Sequence, residues 1–249
     1  MKSESFFDKY AHEYNILTNA QVREKTHREE VRALVERFHP AAVLDAGCAV
    51  GLTSRLFAEQ GVSAVGLDRS RRMISEARRA HEGTALPIRF QHGHFEKLPR
   101  RFNHRFDLVV CLANSISGVG NLKNLRLSLQ GFRRVLRAGG VVVIQALNLA
   151  ALKDGEIMPV RATQAGALGY LRFARRQGNS HELTVVRLDL SVTPFQFEVF
   201  SHKFDSFTPE RLESEMKRAG FAQIRRYSDL AMSKPFRQKS RDIVLVGFA

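Results

Sequence analysis

From residue 41 onward, short runs of apolar, β-branched residues alternate with segments whose apolar residues recur every three or four positions. Ala41–Ala46, Ser63–Asp68, Ile88–His92, Phe106–Leu112 and Gly140–Leu147 read as strands, and Leu52–Gln60, Ser70–Ala80 and Leu122–Arg137 read as the helices between them. Strand and helix in strict turn predict βαβ units, hence a mainly parallel sheet with helices on both faces and an α/β fold. The run RRVLRAGG predicts a helix stop at Gly139–Gly140. Glycine would supply the left-handed conformation there, and the preceding arginines would complement the carbonyl end of the helix.

The flanks read differently. Val31, Leu34, Val35 and Phe38 lie at helical spacing in Glu24–Phe38, so the first 40 residues read as helical cover on the sheet. From Asn148 to Phe207 no clean βαβ unit appears. A Gly- and Arg-containing stretch leads into two alternating runs, ELTVVRLDLSV and FQFEVFSHKF, separated by Thr193–Pro194 and read as a hairpin or β-ribbon. Thr208, Pro209 and Glu210 then open a helix that ends at Ala219–Gly220, with Thr as N-cap and Pro at the first position. FAQIRRYSDL and RDIVLVGFA close the chain as an antiparallel pair completing the sheet. The expected division is a cap at 1–40, a core at 41–147, a substrate lid at 148–207 and completion of the core sheet at 208–249.

Composition narrows the class. A chain of 249 residues with 44% hydrophobic content can bury one sizeable core. No run approaches the roughly 20 apolar residues of a membrane span, and the N-terminus lacks a basic segment followed by an apolar one, so a cytoplasmic protein without membrane association is expected. Cys48 and Cys111 sit in apolar segments without CxxC or Cys/His spacing, which argues against disulfides and against a metal site. The net charge of +14 raises the prospect of an anionic partner, RNA included. Its arginines are nevertheless spread along the chain on presumed polar helix faces, which favours a solvated cationic surface over a nucleic-acid groove.

The chemistry should lie at the carboxyl ends of the strands. After the first strand, Asp45-Ala-Gly47-Cys48-Ala49-Val-Gly51 places small residues where the backbone must turn tightly beside a ligand. After the second, Asp68 stands 17 positions beyond Gly51, near the spacing at which a carboxylate accepts hydrogen bonds from ribose hydroxyls. The glycine turn alone would also suit NAD; with Asp68 it is a stronger nucleoside signal.

Taken in order, VLDAGCAVG, VGLDRSRRMISEAR, FDLVVCLANSI and RVLRAGGVVVIQ resemble the class I S-adenosylmethionine-dependent methyltransferases. The chain is most similar to their small-molecule branch, which includes glycine/sarcosine N-methyltransferases and ubiquinone-type C-methyltransferases. The resemblance implies a Rossmann-like seven-stranded mixed sheet whose last strand is antiparallel. It also implies S-adenosylmethionine as cofactor, released as S-adenosylhomocysteine. In that frame Asp45, Gly47, Cys48, Ala49 and Gly51 cradle the methionine part, with Ala49 in place of a usual glycine. Asp68 holds the ribose, and Arg69 and Met73 flank the adenine. Gly93-His94-Phe95-Glu96-Lys97-Leu98-Pro99 matches a pattern in which an acidic residue contacts the adenine amino group; here His94 takes that place, with the Phe95 amide beside it. In FFDKYAHEYNILTNAQVREK, Tyr14 would cover the cofactor and Arg23 would pair with its carboxylate.

Asn114, at the mouth of the fourth strand, is placed beside the methyl donor. Gln145, Asn148 and His202 are the candidates for orienting or deprotonating an acceptor, His202 because imidazole titrates near neutrality. Tyr170, Arg172 and Arg187 would suit a carboxylate or phosphate on the substrate. The resulting expectation is methyl transfer to N, O or C of a small polar, anionic or neutral metabolite. The alternatives are an RNA methyltransferase and a non-catalytic adenosylmethionine-binding relative.

Overall fold

A computed structural model describes residues 6–178, 180–204 and 207–249. Residues 1–5 of the expected cap and 179, 205 and 206 of the expected lid lie outside the described residues.

The strands of the main sheet are β1 (Ala42–Ala46), β2 (Ser63–Asp68), β3 (Ile88–His92), β4 (Phe106–Cys111), β5 (Leu136–Leu147), β10 (Ala222–Tyr227) and β11 (Asp242–Phe248), and a second sheet of four strands intervenes between β5 and β10. Their spatial order is β10-β11-β5-β4-β1-β2-β3, parallel except that β11 runs against both neighbours. This is the expected α/β architecture with a reversed last strand. Strands buried on both faces need unbroken apolar runs, because successive side chains point to opposite sides. In β5, Val142 and Ile144 join one cluster and Val141 and Val143 the other; in β11, Ile243 and Leu245 alternate in the same way with Val244 and Val246. The helices α1 (Phe6–Lys9), α2 (Tyr14–Thr18), α3 (Ala20–Phe38), α4 (Leu52–Ala58), α5 (Arg71–Ala80), α6 (Leu122–Val135) and α7 (Pro209–Arg218) follow in chain order. Leu125, Leu129 and Phe132 of α6 and Leu212 and Met216 of α7 cover one face; Val31 and Leu34 of α3 and Leu56 and Phe57 of α4 cover the other.

Two expectations change. The Gly139–Gly140 pair does not cap α6: the helix stops at Val135, and Leu136 is already extended. Phe106 pairs with Leu136 and Leu108 with Val141, so four residues of β5 bulge out between two neighbouring pairs. Gly139, at φ 75°, absorbs that bulge in the left-handed region. The lid is also larger than a ribbon. The stretch read as irregular forms β6 (Ile157–Ala165) and β7 (Leu168–Gln177), which pair with β8 (Ser180–Asp189) and β9 (Gln196–Phe204) in a four-stranded antiparallel meander. Its inner face is buried through Tyr170, Ala174 and Val185, whereas Leu171 and Phe197 on the outer face are 44% and 62% exposed.

The chain leaves β1 toward β2 and β3, then crosses back to β4 on the other side of β1. The carboxyl ends of β1 and β4 therefore flank a topological switch point, where loops diverge and open a crevice.

Candidate active site

The turn after β1 is closed on itself. The Gly47 and Cys48 amides donate to the Leu67 carbonyl at 2.7 and 3.1 Å, the Ala49 amide to Asp68 Oδ2 at 3.0 Å, and the Gly51 amide to the Cys48 carbonyl at 2.9 Å. A dinucleotide turn holds pyrophosphate with free N–H groups; here these four are spent. Two carboxylates lie against the same turn. Asp45 is buried, accepts from Ser54 Oγ at 2.6 Å, and burial pushes its carboxyl up to about 7. Burial also raises Asp68, although it accepts from the Ala49 amide and from the Ser70 amide at 2.8 Å. Buried carboxylates without a cationic partner in direct contact suit a ligand that brings positive charge. The donor set thus fits a sulfonium and ammonium better than a pyrophosphate.

Close packing explains the small residues. Gly47 has φ 89°, and a Cβ there would lie 2.6 Å from Ser115 and 3.3 Å from the Phe95 ring; one on Gly51 would meet the Phe90 ring at 2.5 Å. Ala49 takes the left-handed conformation at φ 48°, so its methyl is accommodated in a conformation that glycine would enter freely. Cys48 is a buried free thiol, its acidity suppressed by burial.

The other strand ends contribute in turn. Arg69 reaches from the end of β2 to the loop after β4, donating to the Gly118 carbonyl at 2.8 Å. Met73 is buried in the first turn of α5, where its amide donates to Ser70 Oγ. The Phe95 ring packs on Phe132 beside Gly47, and the His94 ring stands 5.9 Å from that of His92. Asn114, at φ 66°, accepts at Oδ1 from the Leu147 amide (3.1 Å) and Ser117 Oγ (2.9 Å), while Gln145 Oε1 accepts from the Ala113 amide at 3.2 Å. These bonds stitch the mouth of β4 to β5 and leave both side-chain NH2 groups without a hydrogen-bond partner among the described residues. Asn148 is different: it is buried, and its Nδ2 donates to the Gln238 and Ser240 carbonyls at 2.8 and 2.9 Å, so its amide ties down the loop before β11.

A roof covers the crevice. Ser70 Oγ, two residues past Asp68, donates to Asp8 of α1 at 2.6 Å, and α2 packs on the inner face of β6 and β7 with Tyr14 and Leu17 against Tyr170 and Val185. Tyr170 and Arg187, expected to line a substrate cavity, are instead committed to Glu13. Arg187 donates in a two-pronged pair at 2.9 and 2.9 Å, and the Tyr170 hydroxyl donates to the same carboxylate. Glu13 carried no motif, and its only sequence signal was an acidic residue within an aromatic-rich segment. His202 pairs with Leu183 across β8 and β9, in step with the buried Val185 and Tyr170, so it belongs to the inner face. Burial, and then the Arg69 charge, lower its pKa below the ordinary imidazole value. Arg23 of α3 is close enough to influence Asp45 on one side and Arg161 and Arg172 on the other.

A closed turn lined by two carboxylates, at the switch point of a seven-stranded sheet with a reversed last strand, is an arrangement that fits a cationic nucleoside donor. Residues 43–140 match the methyltransferase domain family. The chain therefore contains a methyltransferase domain, and its fold is that of the class I S-adenosylmethionine-dependent methyltransferases. It is 27% identical over 206 residues to the dTDP-3-amino-3,6-dideoxy-alpha-D-glucopyranose N,N-dimethyltransferase of Streptomyces fradiae, covering 79% of this chain and 77% of that one. It is 24% identical over 149 residues to a glycine/sarcosine N-methyltransferase of Aphanothece halophytica, covering 60% of this chain and 56% of the relative, little more than half of its length. Among solved structures, SAM-bound CalS10, an amino pentose methyltransferase of Micromonospora echinaspora, superposes with a TM-score of 0.74 at 18% identity, over 100% of this chain and 99% of that one.

Proposed function

We propose that the chain methylates a small polar metabolite held between the strand ends and the roof, with an amine nitrogen as the favoured acceptor. The observation that carries this reading is the roof itself: α1 meets the end of β2 through Asp8 and Ser70, Glu13 between α1 and α2 is bound by Arg187 of the second sheet, and α2 packs on β6 and β7. Such a cover suits a metabolite and excludes water from the transfer. The N-methyltransferase names of the two relatives support nitrogen.

The cofactor, when bound, supplies an electrophilic methyl on a leaving group that needs no activation. What remains for the protein is to bind, align and remove a proton. Asp68 would hold the ribose, Asp45 and the carbonyl side of the turn the cationic part, Arg23 the carboxylate, and Arg69, His94 and Phe95 the adenine side. The amides of Asn114 and Gln145 would orient the acceptor at the mouth of β4, and His202 would take its proton. Asn148 acts one step back by fixing the loop before β11. The proposed division stays 1–40, 41–147, 148–207 and 208–249, with α3 assigned to the core and α1 and α2 to the roof. No helix among the described residues is long and apolar enough to cross a membrane, and the two cysteines are free and buried, which supports a reducing, cytoplasmic setting. The charge does not favour RNA: many arginines on the helices and loops already meet acids, as in Arg79–Glu76, Arg137–Asp107 and Arg226–Glu213.

Calorimetry with S-adenosylmethionine and S-adenosylhomocysteine tests the reading. Both should bind, and Asp68→Asn should weaken each by about 10- to 100-fold, the loss of a hydrogen bond to a charged acceptor. Absence of binding by either ligand to the wild-type protein would overturn it.

A further inference from the structure

The inner face of the second sheet carries two arginines that nothing in the described structure neutralises. Arg161 of β6 pairs directly with Arg172 of β7 across the antiparallel ladder, so the two side chains rise from the same face, in step with the buried Tyr170. Neither forms an ion pair or a side-chain hydrogen bond among the described residues. Arg172 Nε is buried without a partner, and so is the hydroxyl of Thr163, two residues beyond Arg161 on the same strand and opposite Tyr170. Arg23 and Arg241 add positive charge from α3 and from the end of the loop before β11. Burial, and then the charges of Arg161, Arg23 and Arg241, push Arg172 down to about 10 against the opposing pull of Tyr14, and burial lowers Arg161 as well, so the cluster favours an added anion. Elsewhere several partly buried arginines meet an acceptor: Arg187 with Glu13, Arg55 with Glu24, Arg226 with Glu213, and Arg134 and Arg176 with the Leu98 and Leu152 carbonyls.

We propose that Arg161 and Arg172, with the Thr163 hydroxyl, form an oxyanion subsite that binds a carboxylate or phosphate carried by the methyl acceptor. This rests on the methyltransferase reading and names the substrate class: an anionic acceptor. Arg23 of α3 acts through its charge on the pair and on Asp45 at the turn after β1, and α2, which leads into α3, packs on β6 and β7. With Arg23 left to the cofactor's own carboxylate, the two lid arginines together with the hydroxyl can give several charge-assisted donors to one oxyanion. A neutral ligand would leave the guanidinium groups unpaired.

The test uses the full chain, with inorganic pyrophosphate and acetate as probes for the two anion sources. Thermal unfolding and calorimetry are run with and without S-adenosylhomocysteine on the wild type, Arg172→Gln and Arg161→Gln. One of the two anions should raise the melting temperature of the wild type and bind the loaded protein, the preferred one identifying the source. Each substitution should weaken that binding by about 10- to 100-fold while leaving S-adenosylhomocysteine affinity unchanged. Without any anion, Arg172→Gln should melt no lower than the wild type, because it removes an unpaired buried charge. The proposal falls if neither anion binds, if binding survives both substitutions, or if S-adenosylhomocysteine affinity drops in parallel, which would make the cluster the cofactor's carboxylate site. Anion binding with no S-adenosylhomocysteine binding would remove the methyltransferase reading and, with it, the acceptor.

Discussion

Glu13→Gln is the sharpest perturbation of the roof. Glu13 is 7% exposed, and its carboxylate is the shared acceptor for the two-pronged Arg187 pair and the Tyr170 hydroxyl. Glutamine keeps the shape and one acceptor oxygen but removes the charge, leaving the Arg187 guanidinium, whose side chain is 15% exposed, without its direct counter-ion. Breaking a buried pair by removing one partner costs about 3–5 kcal/mol. Arg187 retains Asp189 at 3.9 Å and the Tyr10 ring at 4.9 Å, so the lower end, about 3 kcal/mol, is expected. For a chain of this size that lowers the melting temperature by about 6–12 °C. Burial raises the Glu13 pKa, but hydrogen bonds from Arg187 and Tyr170 outweigh it and hold the carboxyl below its ordinary value. The pair's contribution is therefore fully present above the ordinary carboxylate pKa and is lost as pH falls through the folded value, so the two melting curves should converge in acid. Differential scanning calorimetry on the wild type, Glu13→Gln, Arg187→Met and the double variant provides the measurement. A Glu13→Gln melting point within about 2 °C of wild type at pH 7.5, or a double variant as unstable as the sum of the singles, would refute the account of the roof as locked by this cluster.

The cofactor turn gives three further expectations. With Asp45 at about 7 in the folded chain against an ordinary 3.8, the ionised form is penalised by burial, a cost on the order of 4 kcal/mol above pH 7 that vanishes below the ordinary value. Asp45→Asn should therefore raise the melting temperature at pH 8 more than at pH 4; an equal shift at both would contradict the assignment. Because protonation removes the negative charge, S-adenosylmethionine should bind more weakly at pH 6 than at pH 8, and the uncharged thioether of S-adenosylhomocysteine should respond less. Calorimetry at the two pH values decides this, and parallel responses would count against it. Gly47→Ala should destabilise by roughly 2–4 kcal/mol, from the left-handed φ and the overlap with Ser115. Ala49→Gly should lie within about 1 kcal/mol of wild type on the stabilising side; urea unfolding midpoints that rank the two in the opposite order would be decisive against that geometry.

The parallel core was legible because its strands are buried on both faces, which forces runs such as Val141–Ile144 that no surface segment tolerates. The cofactor turn was legible because Gly47 and Gly51 each sit where a Cβ would overlap a neighbour. The lid was only half legible. ELTVVRLDLSV alternates clearly, but β6 is interrupted by Pro159 and a register shift between Pro159 and Arg161, so the period of two is broken and the strand escaped notice. Arg161 was missed for that reason alone, since without a strand it had no face. Tyr170 and Arg187, expected to line a substrate cavity, instead bind Glu13, more than 150 residues away in sequence. No local pattern reports such a pairing.

The arrangement of charge bears on how such an enzyme turns over. Asp45 and Asp68 lie against the turn after β1, whereas the second sheet holds Arg161 and Arg172, and Arg23 acts through its charge on both sets. On the proposed reading, a cationic donor would be stabilised against the carboxylates and an anionic acceptor drawn to the arginines, so opposite charges would separate the two ligands before any contact between reacting atoms is made. Loss of the sulfonium charge on methyl transfer would remove much of any attraction to Asp45 and Asp68. The turn would therefore favour the donor over its product by differential binding, and product inhibition by S-adenosylhomocysteine should be weakest at the pH where Asp45 is fully ionised. The same ionisation that makes the empty turn costly is what gives it this preference.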